Sequence, residues 1–327
     1  MMLTRIGRGV GLVASLALAL SACGGSGDDN APNPKGLEKP LLNIGVVPVP
    51  DSAPLFIAQK KGYFKAEGLT IKTQVIKASP DATPKLINGS MDMALLNYVS
   101  TFVAQDNGSI KFKLFTDSYQ GTSKSFSLLT AKDSKVQKVA DLKGKTIGVP
   151  APKSITELLL LVTLKAQGLD PLKDIKTVPV PLPSMAAALK QGSVDAVAAV
   201  EPFVTNLQAE LGAKPLADLV SGPTQDFPIA GWGGTDKFAA KNPKTVAAFQ
   251  RAIDKALNDA AGDRSEVTKT IPSYTQIPAK TASIITLGSY PTTLSQTRLQ
   301  RVAELMSEYG YIKSKPQVAD MIVPNQQ

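Results

Sequence analysis

Along the chain, short apolar runs of about strand length alternate with longer stretches of helical period. The runs Leu41–Val47, Met91–Leu96, Ile110–Phe115, Phe126–Thr130, Thr146–Val149, Val178–Pro181, Val194–Val200 and Phe227–Trp232 read as strands. Leu69, Ile71, Thr73, Val75 and Lys77 fall on one face of another. Between them, Leu55–Lys65, Pro80–Asn88, Asn97–Gln105, Glu157–Gln167 and Pro183–Gln191 read as helices. Val246, Phe249, Ile253 and Leu257 recur at helical spacing, as do Leu299, Val302, Leu305 and Tyr309, so these stripes are core-facing sides of amphipathic helices. Val194–Val200 is apolar apart from Asp195, the pattern of a strand covered on both faces. Strands and helices alternating at this spacing predict right-handed βαβ units and mainly parallel sheets.

The pattern repeats. Leu86-Ile87-Asn88-Gly89-Ser90-Met91-Asp92 and Leu189-Lys190-Gln191-Gly192-Ser193-Val194-Asp195 share Leu-x-x-Gly-Ser-x-Asp at an offset of 103 residues, and Ile44-Gly45-Val46 returns as Ile147-Gly148-Val149 at the same offset. Gly68-Leu69 and Gly168-Leu169 add a third match three residues out of phase. Two lobes of one design follow. The polar breaks Asp117–Ser125 and Ser221–Thr224 serve as crossovers, which places lobe one at 41–120 with a return segment at 225–327, and lobe two at 121–224.

The first forty residues lie outside this pattern. Residues 1–22 carry Arg5 and Arg8, an apolar stretch Val10–Leu20 too short to span a bilayer, and Ser21-Ala22 before Cys23, as in a cleavable signal peptide. Leu20-Ser21-Ala22-Cys23 resembles the bacterial lipobox, which implies lipidation of Cys23 and a tether on the outer face of the cytoplasmic membrane. The stretch 23–40 is a Gly-, Pro- and Asp-rich spacer with little to bury.

Composition narrows the chemistry. The chain has no His and one Cys, so imidazole general bases, thiolate nucleophiles and thiolate or imidazole zinc sites are excluded once Cys23 is lipidated. The formal net charge is +9, falling to +7 without Arg5 and Arg8, and the lysines are dispersed with no basic run, so no nucleic-acid footprint is expected.

Ligands in such folds bind beyond the carboxyl ends of the strands, where helix N-termini converge. That places Asp51, Ser52, Ser79, Asn97 and Tyr98 at the rim of lobe one, with Tyr119 in the first crossover. In lobe two, Lys153, Ser154 and Thr156 open a helix and form an anion-binding candidate; plain capping by Ser154 with Lys153 in solvent is the alternative. Glu201 corresponds to Tyr98 by the offset, and both are expected to face the cleft, although Glu201 would equally well stabilise a helix N-terminus. Trp232 would either stack on a ligand or be buried between the lobes.

With these residues in view, the chain resembles the substrate-binding proteins of bacterial ABC importers, in the group handling sulfonates, taurine, nitrate and thiamine-precursor pyrimidines. The landmarks are Pro54–Ala58, Gly62-Tyr63-Phe64, Glu67-Gly68-Leu69, Asp141–Lys145, Gly192–Ala196 and Glu201-Pro202-Phe203. The resemblance implies a type II-like periplasmic-binding-protein fold, each lobe a mainly parallel sheet flanked by helices, closing on a small polar solute by hinge motion. It implies no catalysis, no cofactor and no metal. The implied partners are ABC permease transmembrane subunits with a cytoplasmic ATPase, served by a monomer. Ala151-Pro152-Lys153-Ser154 and Val200 depart from the sulfonate-binding pattern, and Asp51 and Glu201 would repel a simple anion, so a polar heterocycle or an amine-bearing acid fits as well. Two rival readings are a sensory lobe pair acting on a signalling receptor and an enzyme similar to thiamine-pyrimidine synthases, whose chemistry needs the His and Cys missing here.

Overall fold

The computed structural model describes residues 35–314 and 316–325, so the signal-peptide and Cys23 expectations, and most of the spacer, lie outside the described residues. Within that range the strands form two five-stranded sheets. The first contains β1 (Leu41–Val46), β2 (Thr70–Val75), β3 (Met93–Asn97), β4 (Phe112–Gln120) and β10 (Pro228–Thr235), in the order β2-β1-β3-β10-β4. The second contains β5 (Phe126–Thr130), β6 (Lys145–Val149), β7 (Ile175–Pro179), β8 (Ala196–Val200) and β9 (Lys214–Asp218), in the order β7-β6-β8-β5-β9. β1 runs parallel to β2 and β3, and β6 runs parallel to β7 and β8. β10 and β5 are the antiparallel members of their sheets.

The orders superpose element by element. β1, β2, β3, β10 and β4 occupy the places of β6, β7, β8, β5 and β9, so each sheet receives its antiparallel strand directly after the chain crosses from the other lobe. The crossings meet at a seam: Gly121 N–H donates to the Phe227 carbonyl at 2.9 Å, and Gln120 and Ser289 exchange backbone hydrogen bonds at 2.9 Å each. The first helical stripe is buried as its spacing predicts, and the second in its first half, with Leu305 and Tyr309 half-buried. Val246, Phe249, Ile253 and Leu257 line the inner face of the helix Pro243–Gly262, and Leu299 and Val302 that of Gln296–Glu308. The first of these packs on the helix Ala53–Lys60 behind lobe one; there Glu67, buried beneath, takes a 2.8 Å hydrogen bond from Arg251.

Three differences from the sequence reading have physical causes. β9 carries Pro215 and has a single partner, β5; an edge strand tolerates proline because its free side needs no N–H donor, and such a strand has no strong apolar signature. The polar stretch Asp117–Gln120 belongs to β4 rather than to a crossover, because the buried Asp117 carboxylate is met by the Tyr98 hydroxyl at 2.7 Å and by Arg298 Nη2 at 2.8 Å. The strand read as Phe227–Trp232 runs on through Gly233 and Gly234 to Thr235. β10 is squeezed between β3 and β4, where a Cβ on Gly231 would collide with the Tyr98 hydroxyl and lie 2.5 Å from the Thr116 carbonyl. One on Gly233 would lie 2.5 Å from the Lys113 carbonyl.

Candidate functional site

The carboxyl ends of the parallel strands, with the amino ends of the antiparallel β5 and β10, face one cavity of about 90 Å³. Lobe one contributes Val47, Val49 and Asp51 after β1, residues 77–80 after β2, Leu95 and Asn97 of β3, and Ile229 and Ala230 of β10. Lobe two contributes Phe126 of β5, Pro150, Ala151 and residues 154–156 after β6, Leu182 after β7, and Val200 of β8. The wall keeps the 103-residue offset of the sequence: Asp51 matches Ser154, Ser79 matches Leu182, Asn97 matches Val200, and Phe126 matches Ile229. Lobe one therefore supplies a carboxylate, a hydroxyl and an amide where lobe two supplies a hydroxyl and two aliphatic groups.

The loop holding Asp51 is fixed by its own Ser52 and by three hydroxyls from distant parts of the chain. Ser52 Oγ donates to the Val47 carbonyl at 2.7 Å, Tyr274 Oη to Val49 at 3.1 Å, Tyr290 Oη to Pro50 at 3.1 Å, and Ser118 Oγ to Asp51 at 2.7 Å. Four such bonds, each contributing about 1 kcal/mol, hold the backbone of this loop in one conformation. Asp51 is 5 % exposed, and its Oδ1 is buried without a hydrogen-bond partner among the described residues. Burial pushes its carboxyl up from 3.8 to about 7, opposed only by its own backbone N–H.

Ser79 and Asn97 form the adjacent polar surface. Asn97 N–H donates to Ser79 Oγ at 2.9 Å, and Asn97 Oδ1 accepts from Ser100 N–H at 2.8 Å, capping the helix Tyr98–Asp106. Across the cavity Ser154 Oγ caps the helix Ile155–Ala166 through a long 3.4 Å bond from Glu157 N–H. These two helix ends offer an anion about 0.3–1 kcal/mol each. Asp51, when ionised, opposes an anion in the same cavity, so its protonation sets the electrostatic preference of the cavity.

Of the residues expected in the site, Asp51, Ser79, Asn97, Ser154 and Thr156 line this cavity. Ser52 supports it from behind through its bond to Val47. The others are placed elsewhere. Tyr98 is wholly buried behind Asn97, because the helix that begins there turns its ring inward to Asp117. Tyr119 is also wholly buried; its oxygen accepts from Gly288 N–H at 2.5 Å and its ring meets Tyr290 edge-on at 5.4 Å. Lys153 is exposed, with φ of +49°, and only its backbone is engaged, donating to Glu157 Oε2 at 2.6 Å. Glu201 is withdrawn from the cavity: it accepts from Thr205 N–H at 3.0 Å, Thr205 Oγ1 at 2.8 Å and Thr286 N–H at 3.0 Å, the helix-stabilising alternative extended to a second segment. Trp232 lies in the core of lobe one at 0 % exposure, edge-on to Phe249 at 6.1 Å, and neither stacks in the cavity nor lies between the lobes.

Sequence reasoning missed the apolar majority of the wall, notably Phe126, Leu182 and Ile229, although the 103-residue offset applied to residues 79 and 126 points to Leu182 and Ile229. It also missed Tyr274 and Tyr290, which act on a loop more than two hundred positions away and leave no local signal. The described residues contain no cluster of acidic side chains suited to a metal ion and no helix long and apolar enough to cross a membrane.

Comparison with known proteins agrees with this architecture. The nitrate/nitrite binding protein NrtA of Nostoc is 25% identical over 277 residues, covering 78% of this chain and 62% of the relative. The bicarbonate transport ATP-binding protein CmpC of Synechocystis is 29% identical over 258 residues, covering 71% of this chain and 37% of the relative, so the chain spans less than two thirds of either protein. Among solved structures, the alkanesulfonate-binding protein SsuA of Xanthomonas axonopodis superposes with a TM-score of 0.72 at 22% identity, over 87% of this chain and 98% of the other. The family model for the NMT1-like family matches residues 35–271, most of the described chain, and the protein belongs to that family.

Proposed function

We propose that this protein is the extracytoplasmic solute-binding component of an ABC importer, holding a small polar solute between its two lobes and delivering it to a membrane permease. The observation that carries the reading is the cavity built in register from the strand ends of two repeated lobes, with a fixed polar half on lobe one. Similar proteins named for nitrate, bicarbonate and alkanesulfonate transport support it, and the ATP-binding relative supports a cytoplasmic ATPase partner. In this reading Cys23 carries the lipid anchor, the lobes close on the solute by hinge motion about the seam at Gln120, Gly121 and Ser289, and the monomer is the working unit. Catalysis has no part in it.

The test is retention. The protein is equilibrated with the small-molecule fraction of a bacterial extract, washed, denatured, and the released compounds are identified by mass spectrometry, in parallel with Ala151→Trp, which fills the cavity. One compound released in stoichiometric amount by the wild type and absent from the variant is expected. Release of nothing by the folded wild type, or equal release by both, refutes the reading.

A further inference from the structure

Asp51 lines a cavity that is otherwise mostly apolar, and its carboxyl is buried, with Oδ1 lacking a hydrogen-bond partner among the described residues. Buried acceptors in folded proteins are nearly always met by a protein or water donor, or by a bound ligand. The four hydroxyl bonds to its loop keep Asp51 from withdrawing. Lys77 is the only other charged side chain in the wall; it is exposed and lies at the cavity rim. Lobe two lines the cavity with Phe126, Leu182 and Val200 beside the hydroxyls of Ser154 and Thr156, and Ile229 of lobe one adds a further apolar surface. The polar and apolar halves are thus arranged for a molecule with one N–H-bearing end and one short hydrocarbon end.

We infer that the solute is a small organic cation, of the alkylammonium, amidinium or guanidinium class, whose N–H group pairs with the carboxylate of Asp51 while its carbon end packs between the lobes. The inference rests on the solute-binding reading above and departs from the anions for which similar proteins are named. Size narrows the class. The cavity of about 90 Å³ is smaller than the roughly 150 Å³ that admits benzene, so it accommodates an ion of a few heavy atoms.

The alternative use of Asp51 is as a neutral carboxylic acid donating to an anion, and pH separates the two. Tyr119, Tyr274 and Tyr290 are the titratable side chains that interact with Asp51; all three are pushed up by burial and stay neutral across the range used, while Glu201 acts on Tyr119 and Arg264 on Tyr119 and Tyr290. With its carboxyl near 7, Asp51 is about one-tenth ionised at pH 6 and nine-tenths at pH 8, so a cation gains about tenfold in affinity over that interval and an anion loses about as much.

The experiment is titration calorimetry of the full chain with methylammonium, acetamidinium and methylguanidinium against nitrate and methanesulfonate, at pH 6 and pH 8, with the wild type and Asp51→Asn. The expected result is binding of at least one cation, about tenfold tighter at pH 8, and at least tenfold weaker in Asp51→Asn with the pH dependence gone. Binding of the anions alone, tighter at pH 6, overturns the inference and leaves the solute-binding reading standing. So does a neutral or anionic compound released in the retention test while every cation fails to bind. No binding of any probe together with no retained compound sinks both.

Discussion

Replacing Asp51 by Asn trades function for stability, and the size of the exchange follows from the structure. The side chain is 5 % exposed and its carboxyl lies near 7 in the folded protein against 3.8 for an ordinary aspartate. A carboxyl raised in the folded state makes the native protein the better proton binder between those values, so folding stability falls as pH rises through that window and the loss is complete above it. At about 1.4 kcal/mol per pH unit the full loss is about 4 kcal/mol, an upper bound because relaxation around an ionised group recovers part of it. Asparagine keeps the shape and accepts the same backbone N–H but carries no charge. The apo variant should therefore exceed the wild type by about 2–4 kcal/mol at pH 8 and by less than about 1 kcal/mol at pH 4. The assay is urea unfolding of ligand-free protein at both values, where the pH 8 difference should appear as a midpoint shift of about 1 M with unchanged slope. A variant that is less stable than the wild type at pH 8, or a difference that does not change with pH, would refute the reasoning.

Other substitutions probe the scaffold. Arg298→Ala leaves the buried Asp117, itself pushed up by burial to about 6, without its 2.8 Å cation partner, and should lower stability at pH 8 by about 2–3 kcal/mol and by less at pH 5, where Asp117 takes up a proton; paired denaturant curves check this. Gly231→Ala drives a methyl group into the Tyr98 hydroxyl and the Thr116 carbonyl and should destabilise by about 1–3 kcal/mol or more, read as a lowered urea midpoint. Trp232→Phe should lose about 1–3 kcal/mol from an underfilled core yet leave solute affinity within about twofold, and the wild-type Trp emission should not respond to solute; a larger affinity loss would return Trp232 to the site.

Much of the architecture was legible because the apolar runs and the Leu-x-x-Gly-Ser-x-Asp repeat encode the same event twice, a helix ending and a buried strand beginning. The offset of 103 residues persists in the cavity wall, pairing Asp51 with Ser154 and Asn97 with Val200. Placement of individual side chains was less legible, since it depends on what lies opposite. Asn97 and Tyr98 are adjacent, yet one lines the cavity and the other reaches back to a carboxylate nineteen positions away, a partner that no local pattern announces. Glu201 occupies a strand end as expected, but Thr205 and Thr286 claim both of its oxygens. The strand at Trp232 extends past its expected end through Gly233 and Gly234, because the crowding of β10 between two neighbours excludes a Cβ there. Lys153 looked like an anion ligand on composition, and a left-handed backbone at that position leaves its side chain in solvent.

The central claim is that two lobes close on a solute held in the cavity at their strand ends. Small-angle X-ray scattering of the wild type and Ala151→Trp, each with and without the compound identified by retention, tests it most directly. The account predicts a smaller radius of gyration for the wild type when solute is added, by an amount that saturates with binding, and no change for the variant. Stoichiometric binding with no change in the wild type, or an equal contraction in Ala151→Trp, would contradict it.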